Sequence, residues 1–290
     1  MSDHGARATE SWSRSWKHFR VDRRSPRYCR VTFDHRPINT ITATTVAELG
    51  ELVGLIEQDS NLNVVVFDSA NPDFYLAHYD VENDLSKTAA LGAGPTGLPA
   101  WVDVLVRLAR APVVSIALIR GRARGAGSEF VLACDLRFAS RENTLLGQFE
   151  VGVGVVPGGG PMARLARLVG RGRALEILLV ADDFDGARAE QYGYVNRVIA
   201  DAQLDDEVEA IASRLTRFDH DAIARTKSYV DQVTLPTNSE LSPPLADFRE
   251  LFRRPAQQTQ WARLQELGLN IDSDLERSLG RLVVESIRDA

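Results

Sequence analysis

Cysteine, lysine and histidine are scarce in this chain of 290 residues, and each scarcity removes a class of protein. Cys29 and Cys134 are too few and too far apart for a disulfide framework or a C-x-x-C motif, so a reducing cytoplasm is the expected setting. The five histidines, at positions 4, 18, 35, 78 and 220, include no pair at metal-ligand spacing, and no metal is expected. Only Lys17, Lys87 and Lys227 among the 34 basic residues are lysines, and 40 acidic residues leave a formal charge of −6. A nucleic-acid binder needs a clustered basic face, so no nucleic-acid partner is expected. No uncharged apolar run reaches the roughly 20 residues of a bilayer span. The opening M-S-D-H-G-A-R-A-T-E-S-W lacks the apolar segment of a secretory signal, and no membrane partner is expected.

What remains is an ordinary globular composition, 44% hydrophobic and 26% charged. Tyr28 to Phe33 alternates and runs into Asp34-His35-Arg36-Pro37, which predicts a strand and a turn. Val46, Leu49, Leu52, Val53 and Ile56 recur at helical spacing within 45–59. Val64-Val65-Val66-Phe67 has the continuous apolar character of a strand buried on both faces. The stretch 87–99, rich in glycine and proline, predicts a mobile loop, followed by a helix over 100–109 and a strand over 113–117. Alternating strands and helices imply an α/β class with parallel strands. Strand signals end near Arg214, and 257–267 and 274–287 have helical character. These boundaries predict an N-terminal arm (1–20), a core (21–213) and a helical C-terminal region (214–290).

The most informative stretch is 120–160. Gly121-Arg122-Ala123-Arg124-Gly125-Ala126-Gly127-Ser128-Glu129 leads directly into an apolar helical run. Small residues let backbone turn tightly and approach a ligand. A helix opening there presents unpaired N–H groups and a positive dipole end, suited to a developing oxyanion. A plain tight turn accounts for the glycines equally well. This loop carries neither G-x-G-x-x-G nor G-K-[ST], so it is no phosphate cradle.

Four segments in order resemble the crotonase (enoyl-CoA hydratase/isomerase) superfamily over about residues 28–213. They are G-A-G-S-E-F-V-L-A-C-D from Gly125, G-Q-x-E-V-G-x-G-x-x-P-G-G-G from Gly147, R-L-x-R-L-V-G from Arg164, and Ala187 to Asn196. The resemblance implies a crotonase-like spiral of ββα units with a C-terminal helical region that serves oligomerisation and covers the acyl pocket, in a homotrimer or hexamer. It implies an acyl-CoA substrate that carries its own coenzyme A, no separate cofactor, and a place in fatty acid metabolism.

The resemblance also assigns residues. Its second oxyanion donor falls on the N–H of Ala126, and its first, within Phe74 to Val81, on the N–H of Tyr79, matching Ala77 and Asp80 to the family pattern. Glu129 and Glu150 match the two catalytic glutamates, which favours hydration of a 2-enoyl-CoA thioester to a 3-hydroxyacyl-CoA. Double-bond isomerisation, retro-Claisen C–C hydrolysis and a non-catalytic binding or assembly module are the alternatives. Read without the family, Glu129 is a helix-start acid and Glu150 a surface charge. His78, Ala77, Asp80, Arg122 and Gly127 are substrate-binding candidates. His78 and Tyr79 are bulky where the family is small; His78 either fills space and hydrogen-bonds nearby, or adjusts acyl specificity or adds an acid/base group. Arg122 and Arg124 are either contacts for coenzyme A phosphates or solvated loop charges.

Overall fold

The computed structural model describes residue 12, residues 14–285 and residue 287. Ten strands form two sheets: β1 (Phe19–Ser25), β2 (Tyr28–Phe33), β3 (Val64–Ser69), β5 (Val114–Ile119), β7 (Leu136–Ser140) and β10 (Arg197–Ile199) make the larger one, in that order. The smaller sheet is β4 (Phe74–Leu76), β6 (Arg122–Arg124), β8 (Leu145–Gly147) and β9 (Phe184–Asp185). Each turn of the chain gives one strand to each sheet before a helix returns it, so β3–β4, β5–β6 and β7–β8 repeat as ββα units. The α/β spiral is the expected architecture.

The large sheet is covered on both faces. Cys29, Val31, Val65, Phe67, Ala117 and Ile119 join the main core. The alternate residues Val64, Val66, Ile116, Leu118 and Phe138 pack with Leu204, Val208 and Ala212 of the helix Asp201–Leu215. Double burial explains why Val64 to Phe67 is apolar without alternation. The helix over 45–59 is Ala43–Gln58, begun by a Thr42–Thr45 capping box that satisfies its first donors.

Several elements differ from expectation, each for a physical reason. Strand β1 went unpredicted because it is an edge strand with only Phe19 fully buried, so its apolar signal is weak. Of the arm expected over 1–20, residues 1–11 and 13 lie outside the described residues, and Trp12 and Trp16 are buried against the core. The loop expected over 87–99 begins inside a helix, Val81–Ala90. Beyond it the chain is tied down, with Thr96 N–H and Oγ1 donating to Asp103 at 2.9 and 2.7 Å and Gly94 N–H to Leu98 C=O at 2.9 Å. The helix expected over 274–287 breaks at Ser278 into Asp274–Arg277 and Leu279–Glu285. Among the described residues no helix is long and apolar enough to cross a membrane.

Close packing fixes how the spiral's layers meet. The helix Ala126–Ala133 sits so near β4 that a Cβ on Gly127 would lie 2.0 Å from the Leu76 carbonyl oxygen. Backbone cannot yield as a side chain can. Gly127→Ala is therefore expected to lower stability to urea by about 3 kcal/mol. Gly172→Ala, in a helix with no atom near the added methyl, should leave stability unchanged or raise it by about 0.5 kcal/mol.

Candidate active site

Three segments that leave the small sheet meet at one edge because β4, β6 and β8 run parallel, with Leu76 opposite Ala123 and Arg124 opposite Gly147. Backbone bonds continue past the strands: Arg124 N–H donates to Ala77 C=O and Gly125 N–H to Gly147 C=O, both at 3.0 Å. The residues that follow, 77–80, 125–129 and 148–150, line or back a cavity of about 380 Å³. Its wall includes His78, Tyr79, Ala126, Glu129 and Glu150, with Trp101, Phe149, Phe248 and Trp261 supplying apolar surface.

Gly125 caps the helix at φ 50°, in the left-handed half of backbone space that a side chain resists, and a Cβ there would crowd Glu150 Oε1 at 2.7 Å. This turn aims the helix N-terminus at the cavity, and Ala126 is its first residue. Across from it, Ile41 N–H donates to His78 C=O at 2.8 Å and Asp80 N–H donates to Ile41 C=O at 2.9 Å. A trans peptide points its C=O and N–H in opposite directions. The N–H of Tyr79 therefore points away from Ile41.

The two carboxyls differ in how they are held. Glu129 accepts from the Trp101 indole N–H at 2.8 Å and from Gly159 N–H at 2.7 Å. A Cβ on Gly159 would lie 2.1 Å from Glu129 Oε2, so glycine lets this donor approach a carboxylate that Trp101 also holds. Burial raises the Glu129 pKa above the ordinary carboxylate value, and these two donors together with the Arg164 charge partly offset that. Burial also lowers Arg164 to about 10, still cationic at neutral pH. Glu150 is buried with Oε2 unpartnered. Burial and then the nearby Glu129 charge hold its pKa well above the ordinary value. Two interacting carboxyls titrate as a pair. Of the two, Glu150 is raised the further, because the Glu129 charge adds to its burial.

The remaining sequence candidates are not part of the cavity wall. Ala77 packs in a small cluster with Ile38 and Phe74. Asp80 Oδ1 accepts from Asn270 Nδ2 at 3.4 Å, and Gly127 abuts Leu76. None of the three lines the cavity. Nor does Arg122, whose guanidinium donates to the Arg277 and Asp73 carbonyls at 2.9 and 3.1 Å. Arg124 is only 1% exposed and forms a bidentate pair with Asp183 at 2.6 and 2.7 Å, so it meets neither solvent nor a phosphate. Sequence reading missed Trp101 and Gly159 because each reaches Glu129 from a distant segment. Gly159 alone had a signal, the Gly158-Gly159-Gly160 run.

A family model described as enoyl-CoA hydratase/isomerase matches residues 24–260. The chain is 32% identical over 180 residues to the short-chain-enoyl-CoA hydratase of Clostridium acetobutylicum, covering 62% of this chain and 68% of that one. It is also 32% identical over 189 residues to the crotonyl-CoA hydratase of Syntrophomonas wolfei, covering 64% and 71%. A provisionally named enoyl-CoA hydratase from Streptomyces avermitilis superposes with a TM-score of 0.88 at 40% identity, covering 93% of this chain and 98% of the other. With two carboxyls and a helix N-terminus converging on one cavity of the spiral, and with the family model spanning most of the chain, this protein belongs to the enoyl-CoA hydratase/isomerase family.

Proposed function

We propose that this protein hydrates a 2-enoyl-CoA thioester to the 3-hydroxyacyl-CoA. The observation that carries the proposal is the pair of buried, unequally held carboxyls facing one cavity below a helix N-terminus. The thioester carbonyl accepts from the N–H groups of Tyr79 and Ala126, which stabilise the charge that develops there. Glu129, whose two N–H donors favour its carboxylate form, takes a proton from water as the oxygen attacks C3. Glu150, the protonated partner, delivers its proton to C2 of the enolate. Environments that push two carboxyl pKa values apart divide acid and base in this way. Coenzyme A arrives with the substrate, and no separate cofactor takes part.

The named hydratases among the relatives support this reading, as do the apolar side chains Phe149, Phe248 and Trp261 against which an acyl chain would lie. Cys29 and Cys134 are both free and buried, which suits a reducing cytoplasm, the location we propose, with fatty acid metabolism as the setting. Residues 214–290 would serve as lid and oligomerisation region. The helix His220–Thr234 has no buried residue and exposes Tyr229, Val230 and Val233, apolar surface that a second copy would cover. Sedimentation equilibrium should report about three or six subunits, as closed symmetry in this architecture would give. A stable monomer at micromolar concentration would count against the assembly.

Glutamate chemistry offers the sharper tests. Glu129→Gln and Glu150→Gln keep shape but cannot exchange a proton, so each should lower kcat on 2-enoyl-CoA substrates by roughly 10²-fold or more. A large loss in one variant alone would favour isomerisation, and no turnover by the parent of any 2-enoyl-CoA would leave a binding module. Trp101→Phe removes a donor that lowers the Glu129 pKa, so the acid limb of kcat/KM should move to higher pH.

Stability offers an independent check on Glu150. A carboxyl whose folded pKa is raised above its unfolded value of 4.5 stabilises fully below that value, and the contribution is lost as pH rises through the folded pKa. Glu150→Gln carries no such titration. Between about pH 5 and pH 8 it should therefore lose less stability to urea than the parent.

A further inference from the structure

We infer that Glu276, from the C-terminal helical region, is the positioning residue that holds both oxyanion turns at once, with His78 as the arm through which it holds the first. Its carboxylate Oε1 accepts from His78 Nε2 at 2.6 Å and from Asn270 N–H at 2.8 Å. Its backbone carbonyl accepts from Arg124 Nη1 at 2.6 Å. His78 immediately precedes Tyr79, and Arg124 immediately precedes Gly125 and Ala126. One residue thus grips the chain one position before the first N–H donor and two before the second. The inference rests on the oxyanion reading above.

The geometry of His78 defines its state. Nδ1 lies 3.1 Å from the Tyr79 carbonyl oxygen and Nε2 faces the Glu276 carboxylate, so both ring nitrogens face acceptors. Only an imidazolium can donate to both. Burial opposes that charge, yet the carboxylate of Glu276 outweighs it and raises the His78 pKa. Burial would push Glu276 up, but His78 holds it below the ordinary value. Arg124 also faces the pair and is balanced by Asp183. On its remaining side the His78 ring meets the edge of Phe149, 5.6 Å between centroids, beside Glu150. Glu276 Oε2 is buried without a hydrogen bond. A buried pair of this kind gains little stability over apolar residues of equal volume. Its location between the two donors gives it another use.

The pair is complete only where Glu276 is ionised and His78 protonated, so it is lost as pH falls through the lowered Glu276 pKa or rises through the raised His78 pKa. Glu276→Gln and His78→Gln, made in the full chain, test the inference with two readouts. The first is the red-shift of a bound conjugated arylacryloyl thioester, which reports carbonyl polarisation and needs no turnover. The shift should be present in the parent and lost or much reduced in both variants. The second is kcat, expected to fall by about 10²-fold while KM changes little, as for a modest displacement of a reacting group. The parent should show an alkaline limb from His78 that moves to lower pH in Glu276→Gln and vanishes in His78→Gln. Urea unfolding of the same variants measures the structural cost separately. If stability falls while red-shift and limb are unchanged, Glu276 is only structural and the inference is overturned. Absence of the red-shift in the parent overturns it as well. A parent that shows the red-shift but hydrates nothing refutes the hydratase reading while leaving this one to stand on the variants' spectra.

Discussion

Parallel pairing of three short strands is the constraint on which the site depends. β4, β6 and β8 contribute three residues each, too few to be stable alone. They hold because Gly121 and Gly127 let neighbouring backbone come closer than any side chain permits: a Cβ on Gly121 would meet the Asp73 carbonyl carbon at 2.3 Å. Parallel strands in register release their chains at the same edge. The turns bearing Tyr79 and Ala126 and the segment bearing Glu150 become neighbours by topology, although 71 positions separate Tyr79 from Glu150.

The interior around this edge holds more charge than a core normally tolerates, and it is handled in two ways. Arg124 and Arg137 are held by several acceptors: the first by Asp183 and the Glu276 carbonyl, the second by the Tyr194 and Cys134 carbonyls at 2.9 and 2.7 Å. Such groups lock segments together. Glu150 is the opposite case, with an oxygen buried and unpaired next to a second carboxyl. Leaving a buried polar atom unsatisfied costs about 1–3 kcal/mol, and strain of this sort gathers where chemistry needs it. Glu276 belongs partly to each kind, with one oxygen doubly bonded and the other bare.

The C-terminal region changes meaning in this light. From composition it is a helical appendage, and Phe248 and Trp261 look like packing residues within it. They do pack, in a cluster with Phe149, Val153 and Val155. That cluster is also the cavity wall. Leu245, Phe248, Arg249 and Trp261 therefore form part of the pocket wall, while Glu276 bonds to His78 and Arg124.

Much was legible in the order of residues alone. The unbroken Val64 to Phe67 run marks a doubly buried strand because local burial leaves a local signature. The segments from Gly125 and Gly147 announce the family, and Gly125, Gly154 and Gly160 within them take the positive φ that favours glycine. Glu129 and Glu150 were visible for the same reason. Tertiary structure decided what distant segments do to these residues. Nothing near Arg124 in sequence reveals Asp183, so a guanidinium beside the Gly125 turn read as solvent-facing when it is enclosed. His78 was ambiguous until Glu276, 198 residues away, supplied its counter-charge. The unequal holding of the two carboxyls is likewise a tertiary fact, because Trp101 and Gly159 reach Glu129 and no described residue reaches Glu150 Oε2. Sequence fixes chemistry that travels with the chain; protonation states follow from dielectric and partners, and those exist only once the chain has folded.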